Sequence, residues 1–424
     1  MTDEAATRLS PIAGAGRGKG TSDAVLTPPP SKSDALRALV LSDATGVPLA
    51  LPEAEALPRD VDVLRAGLLA LRQPTADVDC RDGGAPFRFL LAQAAVLPSR
   101  TVRFRGTPRL GERPHRPLLD ALRAALGPHG LTVTEGAPWP LTVASPAHPE
   151  RATAFAVTGA ESSQFASALL LAAARLTAAD GLARDVRVDG ALASEGYLAM
   201  TARWLAAFGF GVEVLGGHTR VTGWRRPTSV PSIPGDWSSL TVLLPLAWRT
   251  GARVARVALG TGHPDEAVLA HLASVGLALV PDGDAHRVTG TLRGGLEVDV
   301  SRCPDAAPAL VALACALPAP SRFTHAGVLR HKESDRLAAL ADLARAAGGD
   351  ARVDGDVLTI TPAHIARDFA FEARDDHRLA MAAATVAALL SVRVRLAGRE
   401  AVAKSFPGFW AEVARAGLQV ETAP

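Results

Sequence analysis

One pattern recurs along this 424-residue chain and restricts what it can become: an amphipathic helical run, a glycine, then a short β-rich run. It begins as Val63-Leu64-Arg65-Ala66-Gly67-Leu68-Leu69, and reads next as Leu118-Leu119-Asp120-Ala121-Leu122 into Gly130-Leu131-Thr132-Val133. It returns as Met200 to Leu205 into Gly211-Val212-Glu213-Val214, and as Val268 to Leu272 into Gly276-Leu277-Ala278-Leu279. Leu340 to Leu343 runs into Gly349 and Val353, and Phe409 to Val413 into Gly417-Leu418-Gln419-Val420. Glycine fits the left-handed position that ends many helices, and alternation after it fits a strand. Six copies argue for a repeated α/β unit rather than six coincidences.

Two proline-rich spots divide the repeats: Pro28-Pro29-Pro30, and Pro227 to Pro234. Proline removes backbone donors and stiffens a crossover. At 424 residues the chain exceeds one ordinary core, so two domains are expected. The cuts give one lobe of residues 1–29 plus 235–424 and a second of 30–234, each with three repeats. A strand at Ala24-Val25-Leu26 returns the N-terminus to the first lobe, while residues 1 to 20, rich in Gly, Ala and Thr, are expected to fray. The fold class is α/β, two similar lobes joined by a double crossover, with small substrates expected between them.

A net charge of +2 gives no case for nucleic acid or a membrane surface, so any anion site must be local. The three cysteines, Cys80, Cys303 and Cys315, lack metal-ligand spacing and suit a reducing cytoplasm. The N-terminus, with Asp3 and Glu4, does not read as a signal peptide. The apolar stretch from Leu379 to Val392 is too short for a membrane span.

Lysine is scarce. Of 45 Lys and Arg residues only Lys19, Lys32, Lys332 and Lys404 are lysine, so those positions mark where a compact, tunable point charge is kept. Lys332 lies in Arg330-His331-Lys332-Glu333-Ser334-Asp335-Arg336, directly before an apolar helix. Lys32 lies in Ser31-Lys32-Ser33-Asp34-Ala35-Leu36-Arg37, after the first proline spot and opening another helix. Free N–H groups at a helix start, with Lys32, Ser33 and Arg37, suit a phosphate, although P-loop spacing is missing. Asp82-Gly83-Gly84 is a turn where backbone can approach a ligand closely. Pro108 to Pro114 carries Arg109 and Arg113, forks suited to phosphate or carboxylate. Ser162-Ser163-Gln164 opens a helix, and Ser194 to Tyr197 holds the single tyrosine. Asp236, Asp305 and Asp376 each precede an apolar helix, where an aspartate is ordinarily a cap. Each motif alone reads equally well as a capped helix or a surface loop. Their distribution over helix starts in both halves is what suggests an anion-binding site, with Asp305 and Glu333 available for proton transfer.

Ser31-Lys32-Ser33 with Arg37, Arg113-Pro114, Ser162-Ser163-Gln164, Pro304-Asp305, Lys332 to Arg336, Asp376-His377-Arg378 and Lys404-Ser405-Phe406-Pro407 together resemble the enolpyruvyl transferase family. The resemblance runs from about Pro28 to Pro407 and implies two lobes of three βαβαββ units each. It implies transfer of enolpyruvate from phosphoenolpyruvate to the 5-hydroxyl of shikimate 3-phosphate, with release of phosphate. It assigns Ser33, Arg37, Ser162, Ser163, Gln164, Ser194, Tyr197, Asp305 and Lys332 to shikimate 3-phosphate. It assigns Lys32, Gly84, Arg113, Gln164, Arg336, Arg378 and Lys404 to phosphoenolpyruvate, and makes Asp305, Glu333 and Lys32 catalytic. It implies no cofactor, no metal, no nucleic-acid or membrane partner, and a cytoplasmic monomer.

The chain departs from the family pattern at Asp82, Ala85 and Phe89, where many members read Asn, Thr and Pro; at Val328, often Asn; and at Arg59-Asp60, often an acidic pair. Two other readings stay open. A sister enzyme uses UDP-N-acetylglucosamine as acceptor, but it carries Cys where this chain has Pro108 and Asn where it has Ser33. A non-catalytic, anion-binding relative would have no need of Asp305, Glu333 and Lys32 together.

Overall fold

The computed structural model describes residues 7–11, 22–51, 57–137, 139–159, 162–190, 195–362 and 367–422. They fall into two compact units. One takes the described parts of Met1–Ser31, Ala54–Pro58 and Pro234–Pro424; the other takes Lys32–Glu53 and Arg59–Ile233.

The repeated unit is plain in the sheets. In the second unit, parallel strands Thr75–Asp79 and Thr101–Arg105 flank the helix Gly84–Val96. The helix Arg116–Leu126 follows, and a hairpin of Thr132–Glu135 and Leu141–Ala144 completes a four-stranded sheet. Alternation in Thr101–Arg105 buries Val102 and Phe104 and exposes the residues between them, as the strand period demands. The same order recurs with Ala154–Thr158, Ser163–Asp180, Arg184–Asp189, Glu195–Ala207 and the hairpin Phe210–Leu215/His218–Trp224. The helices Lys32–Thr45 and Arg59–Ala70 form the remaining copy, without a sheet of their own among the described residues.

The first unit holds three four-stranded sheets. Val25–Leu26 pairs in parallel with Arg253–Val254, so the N-terminal strand joins this unit. Glu297–Asp299 and Ser321–Thr324 are parallel around the helix Ala307–Ala314, and Phe369–Glu372 and Val394–Ala397 around His377–Leu390. In both units the first helix of each repeat is buried on nearly every side. Trp237–Thr250, Ala307–Ala314 and His377–Leu390 pack against one another in the first unit, as Lys32–Thr45, Gly84–Val96 and Ser163–Asp180 do in the second. Burial on most sides explains why these helices lack a single apolar stripe.

The glycine rule holds with two shifts and one exception. Gly130, Gly276 and Gly417 have φ of 106°, 88° and 87°. In the other two, the left-handed residue is Gly209 rather than Gly211, and Gly348 rather than Gly349. Gly67 is not a cap: it lies within Arg59–Ala70, where a Cβ would meet Leu90 Cδ1 at 2.3 Å. The expectation that residues 1 to 20 fray is corrected for Thr7–Pro11, which forms a strand between Val394–Ala397 and Leu418–Thr422, antiparallel to both. The last repeat has only three strands of its own, so its open position is filled from the other end of the chain. The two proline spots lie side by side: Ser31 N–H donates to Pro234 O at 2.8 Å and Asp236 N–H to Pro29 O at 2.9 Å.

Candidate active site

In the second unit, candidate residues gather at the starts of its three buried helices. Lys32 opens the first and donates from Nζ to Asp60 Oδ2 at 3.1 Å; both side chains are largely buried. Arg37, one turn on, is sunk in the protein. It donates to Ser33 O (2.8 Å), Thr201 Oγ1 (2.8 Å), Tyr197 O (3.1 Å) and Ser167 Oγ (3.3 Å). The Phe89 and Tyr197 rings lie within 6 Å of its guanidinium. Burial pushes Arg37 down to about 10, with Asp34 opposing. It therefore ties the residues around Ser33 and Tyr197 into one piece.

The second helix begins at Gly84, and Gly83 before it offers no side chain to cap the exposed N–H groups. A Cβ on Gly84 would lie 2.6 Å from Arg113 Nη1 and 2.8 Å from its Cζ. The missing side chain is what lets the guanidinium rest on the helix start. On the preceding turn Asp82 takes a two-oxygen contact from Arg59 Nη2, at 3.1 and 3.2 Å.

The third helix is capped by Ser162, whose Oγ accepts from Gln164 N–H at 3.2 Å; Ser163 is buried beside it. Gln164 Oε1 accepts from Arg88 Nη1 at 2.5 Å, and Arg88 Nη2 donates to Pro114 O at 2.8 Å. Arg88 thus links the Gly84 helix, Gln164 and the Arg113 loop. Sequence reasoning missed it, because its position inside an apolar run reads as an exposed residue. Tyr197 is buried against Arg37. Ser194 lies outside the described residues, as does Lys19.

In the first unit the chemistry centres on Arg336, whose side chain is 1% exposed. Its Nε and Nη2 grip Asp376 at 2.8 and 3.1 Å, Nη1 donates to Asp305 Oδ1 at 3.2 Å, and Nη2 to Glu333 Oε2 at 2.7 Å. Burial works against its charge, but Asp376, Glu333 and Asp305 prevail and raise it above an ordinary arginine. Asp305 also takes Arg378 Nη2 at 3.0 Å and lies 3.9 Å from Lys332 Nζ. Glu333 Oε1 lies 3.3 Å from Lys404 Nζ, which is buried. Four cations, Lys332, Arg336, Arg378 and Lys404, are thus knitted to three acids.

The three aspartates placed before helices divide in role. Asp236 caps Trp237–Thr250, accepting from Ser239 N–H at 2.8 Å, and Asp376 caps His377–Leu390, accepting from Arg378 N–H at 3.0 Å. At the third start Ala306 holds the N-cap position without a side-chain cap, and the Asp305 carboxylate contacts Arg336 and Arg378. Ser334 and Asp335 are structural, Ser334 Oγ donating to Asp376 at 3.0 Å and Asp335 accepting from Ala338 N–H at 3.0 Å. Asp265, unnoticed in the sequence, is fully buried and accepts from Ser238 Oγ at 2.5 Å. Burial and then the charge of Asp305 push its carboxyl up to about 6, with Arg378, Ser238 and Lys332 opposing.

Comparison with known proteins gives a consistent result. The family model for EPSP synthase (3-phosphoshikimate 1-carboxyvinyltransferase) matches residues 56–413. A 3-phosphoshikimate 1-carboxyvinyltransferase of Methanoculleus marisnigri is 34% identical over 430 residues, covering 94% of this chain and 98% of that relative. One from Methanopyrus kandleri is 33% identical, covering 93% and 96%. Among solved structures, EPSP synthase from Acinetobacter baumannii aligns over 99% of this chain and 100% of its own at a TM-score of 0.70, with 20% identity. That likeness gives the fold, and the sequence matches give the lineage: the chain belongs to the EPSP synthase family of 3-phosphoshikimate 1-carboxyvinyltransferases.

Proposed function

We propose that this chain transfers the enolpyruvyl group of phosphoenolpyruvate to the 5-hydroxyl of shikimate 3-phosphate through the residues described above. The observation that carries the site assignment is Asp305, an aspartate before a helix whose carboxylate is held by Arg336 and Arg378. A carboxylate fixed by two forks, with one edge toward Lys332, is suited to orient a hydroxyl and accept its proton.

The methylene carbon of phosphoenolpyruvate gains a proton from Glu333 acting with Lys32, and C2 becomes electrophilic. The 5-hydroxyl oxygen attacks C2 while Asp305 takes its proton, giving a tetrahedral adduct. Glu333 then takes back a methyl proton and phosphate departs with the proton held by Asp305, which restores the double bond. Phosphoenolpyruvate presents a phosphate and a carboxylate, groups suited to Lys32, Gly84, Arg113 and Gln164 of one unit and to Arg336, Arg378 and Lys404 of the other. Ser33, Ser162, Ser163, Gln164, Ser194, Tyr197, Asp305 and Lys332 hold shikimate 3-phosphate, and Arg37 braces Ser33 and Tyr197 from behind. Asp305 and Glu333 occupy the Nη edge of Arg336. A substrate carboxylate competes for that edge, so its arrival loosens the hold on both acids while Asp376 keeps the arginine in place.

The buried thiols of Cys80, Cys303 and Cys315, unbonded to one another, fit the proposed cytoplasmic location, and a monomer is the state proposed. Mixing the protein with phosphoenolpyruvate and shikimate 3-phosphate is expected to release phosphate. No release there, with release on UDP-N-acetylglucosamine, would move the chain to the other acceptor. Light scattering after size exclusion tests the monomer.

A further inference from the structure

Arg59 and Asp82 are each out of place by sequence: a cation at a usually acidic position, and an acid on a turn meant for an anion. The structure joins them. Arg59 Nη2 contacts both Asp82 oxygens, at 3.1 and 3.2 Å, with side chains 35% and 26% exposed. The next residue, Asp60, binds Lys32 Nζ at 3.1 Å and is 3% exposed. Asp82 lies two residues before Gly84, on which the Arg113 guanidinium rests. Two consecutive residues at one helix start therefore engage both the Lys32 end and the Gly84–Arg113 end of the candidate phosphoenolpyruvate residues, and the four charges sum to zero.

We propose that Arg59 is a positioning residue that cancels the Asp82 charge and so sets this chain's affinity for phosphoenolpyruvate. The inference rests on the function proposed above. Without Arg59 the Asp82 charge would bear more fully on the incoming phosphate and carboxylate. With Arg59 in place the Arg59–Asp82 pair presents no net charge to the ligand.

The two single variants separate this from a purely mechanical clamp. Arg59→Gln and Asp82→Asn break the same contact. A clamp predicts that both do similar harm and that the double variant is no better than either. Charge cancellation predicts effects of opposite sign. Arg59→Gln should raise KM for phosphoenolpyruvate by about 3- to 10-fold with kcat within about twofold, and the rise should shrink with added salt. Asp82→Asn should leave that KM at or below its starting value, and Arg59→Gln/Asp82→Asn should return it to within about twofold. Steady-state phosphate release with both substrates gives all four corners. Unaltered KM in Arg59→Gln, or a double variant as impaired as Arg59→Gln alone, overturns the proposal. No release by the unsubstituted protein overturns the function reading instead, so the two failures are distinct. Thermal melts of the variants exclude misfolding as the source of any rise.

Discussion

Replacing Gly84 by alanine tests the architecture around Arg113 with a single methyl group. Gly84 is not in a left-handed conformation, so the backbone accepts alanine without strain. The obstacle is the guanidinium: the new Cβ would meet Nη1 at 2.6 Å, Cζ at 2.8 Å and Nη2 at 3.0 Å, whereas ordinary contact begins at 3.4 Å. Arg113 must withdraw by roughly 1 Å. At an effective dielectric constant near 20, moving a unit charge from about 4 to about 5 Å from an anion forfeits about 0.8 kcal/mol, or roughly fourfold in affinity. Losing one of two fork hydrogen bonds adds about 1.5–3 kcal/mol. KM for phosphoenolpyruvate should therefore rise at least about fourfold. Stability should not fall, since the clash is with the far end of a flexible side chain and alanine is the better helix former by up to about 1 kcal/mol. Phosphate-release kinetics over a phosphoenolpyruvate series, beside a thermal melt, measure both. An unaltered KM would show that Arg113 does not bind this substrate; a large fall in melting temperature would show that the guanidinium is locked to the fold.

Lys32→Arg should lower turnover at least tenfold, about 1.4 kcal/mol of barrier, because a planar fork cannot keep the point contact at 3.1 Å with Asp60 and still serve the methylene carbon; near-normal turnover refutes this. Arg336→Met leaves Asp376, Asp305 and Glu333 without their shared cation, and urea unfolding should register a loss of about 3–5 kcal/mol; a loss below 1 kcal/mol would mean that the remaining cations suffice. Asp265, raised in the folded state to about 6 from 3.8, binds its proton more tightly folded than unfolded, so it lowers stability as pH climbs from about 4 through 6. Asp265→Asn should flatten that fall, measured as melting temperature between pH 4 and 8; an unaltered pH slope would refute it.

How far the sequence could lead is visible in particular residues. The repeat was readable because amphipathic helices, cap glycines and alternating strands are local features. The cap moved from Gly211 to Gly209 and from Gly349 to Gly348 because neighbouring glycines offer two places for one left-handed residue, and only the packed helix end decides. Thr7–Pro11 was invisible as a strand: its partners lie at the far end of the chain, and nothing within five residues announces a slot waiting there. Among the candidate residues, type and order were legible, but pairing was not. Nothing local to Arg336 says that Asp376 and Asp305 hold it, or that Arg88 reaches Gln164 across 76 residues. Charge partners distant in sequence are set by topology.

The strand Thr7–Pro11 also has a consequence for how the molecule is made. During synthesis it emerges about 400 residues ahead of both of its neighbours in the sheet. At about 5–20 residues per second that is a wait of roughly 20–80 s. Through that interval Lys32–Glu53 and Arg59–Ile233, nearly contiguous, are free to fold as they emerge. The sheet that holds Thr7–Pro11 cannot close until Val394–Ala397 and Leu418–Thr422 have been made. Thr7–Pro11 is then a strand held in reserve for partners about 400 residues away.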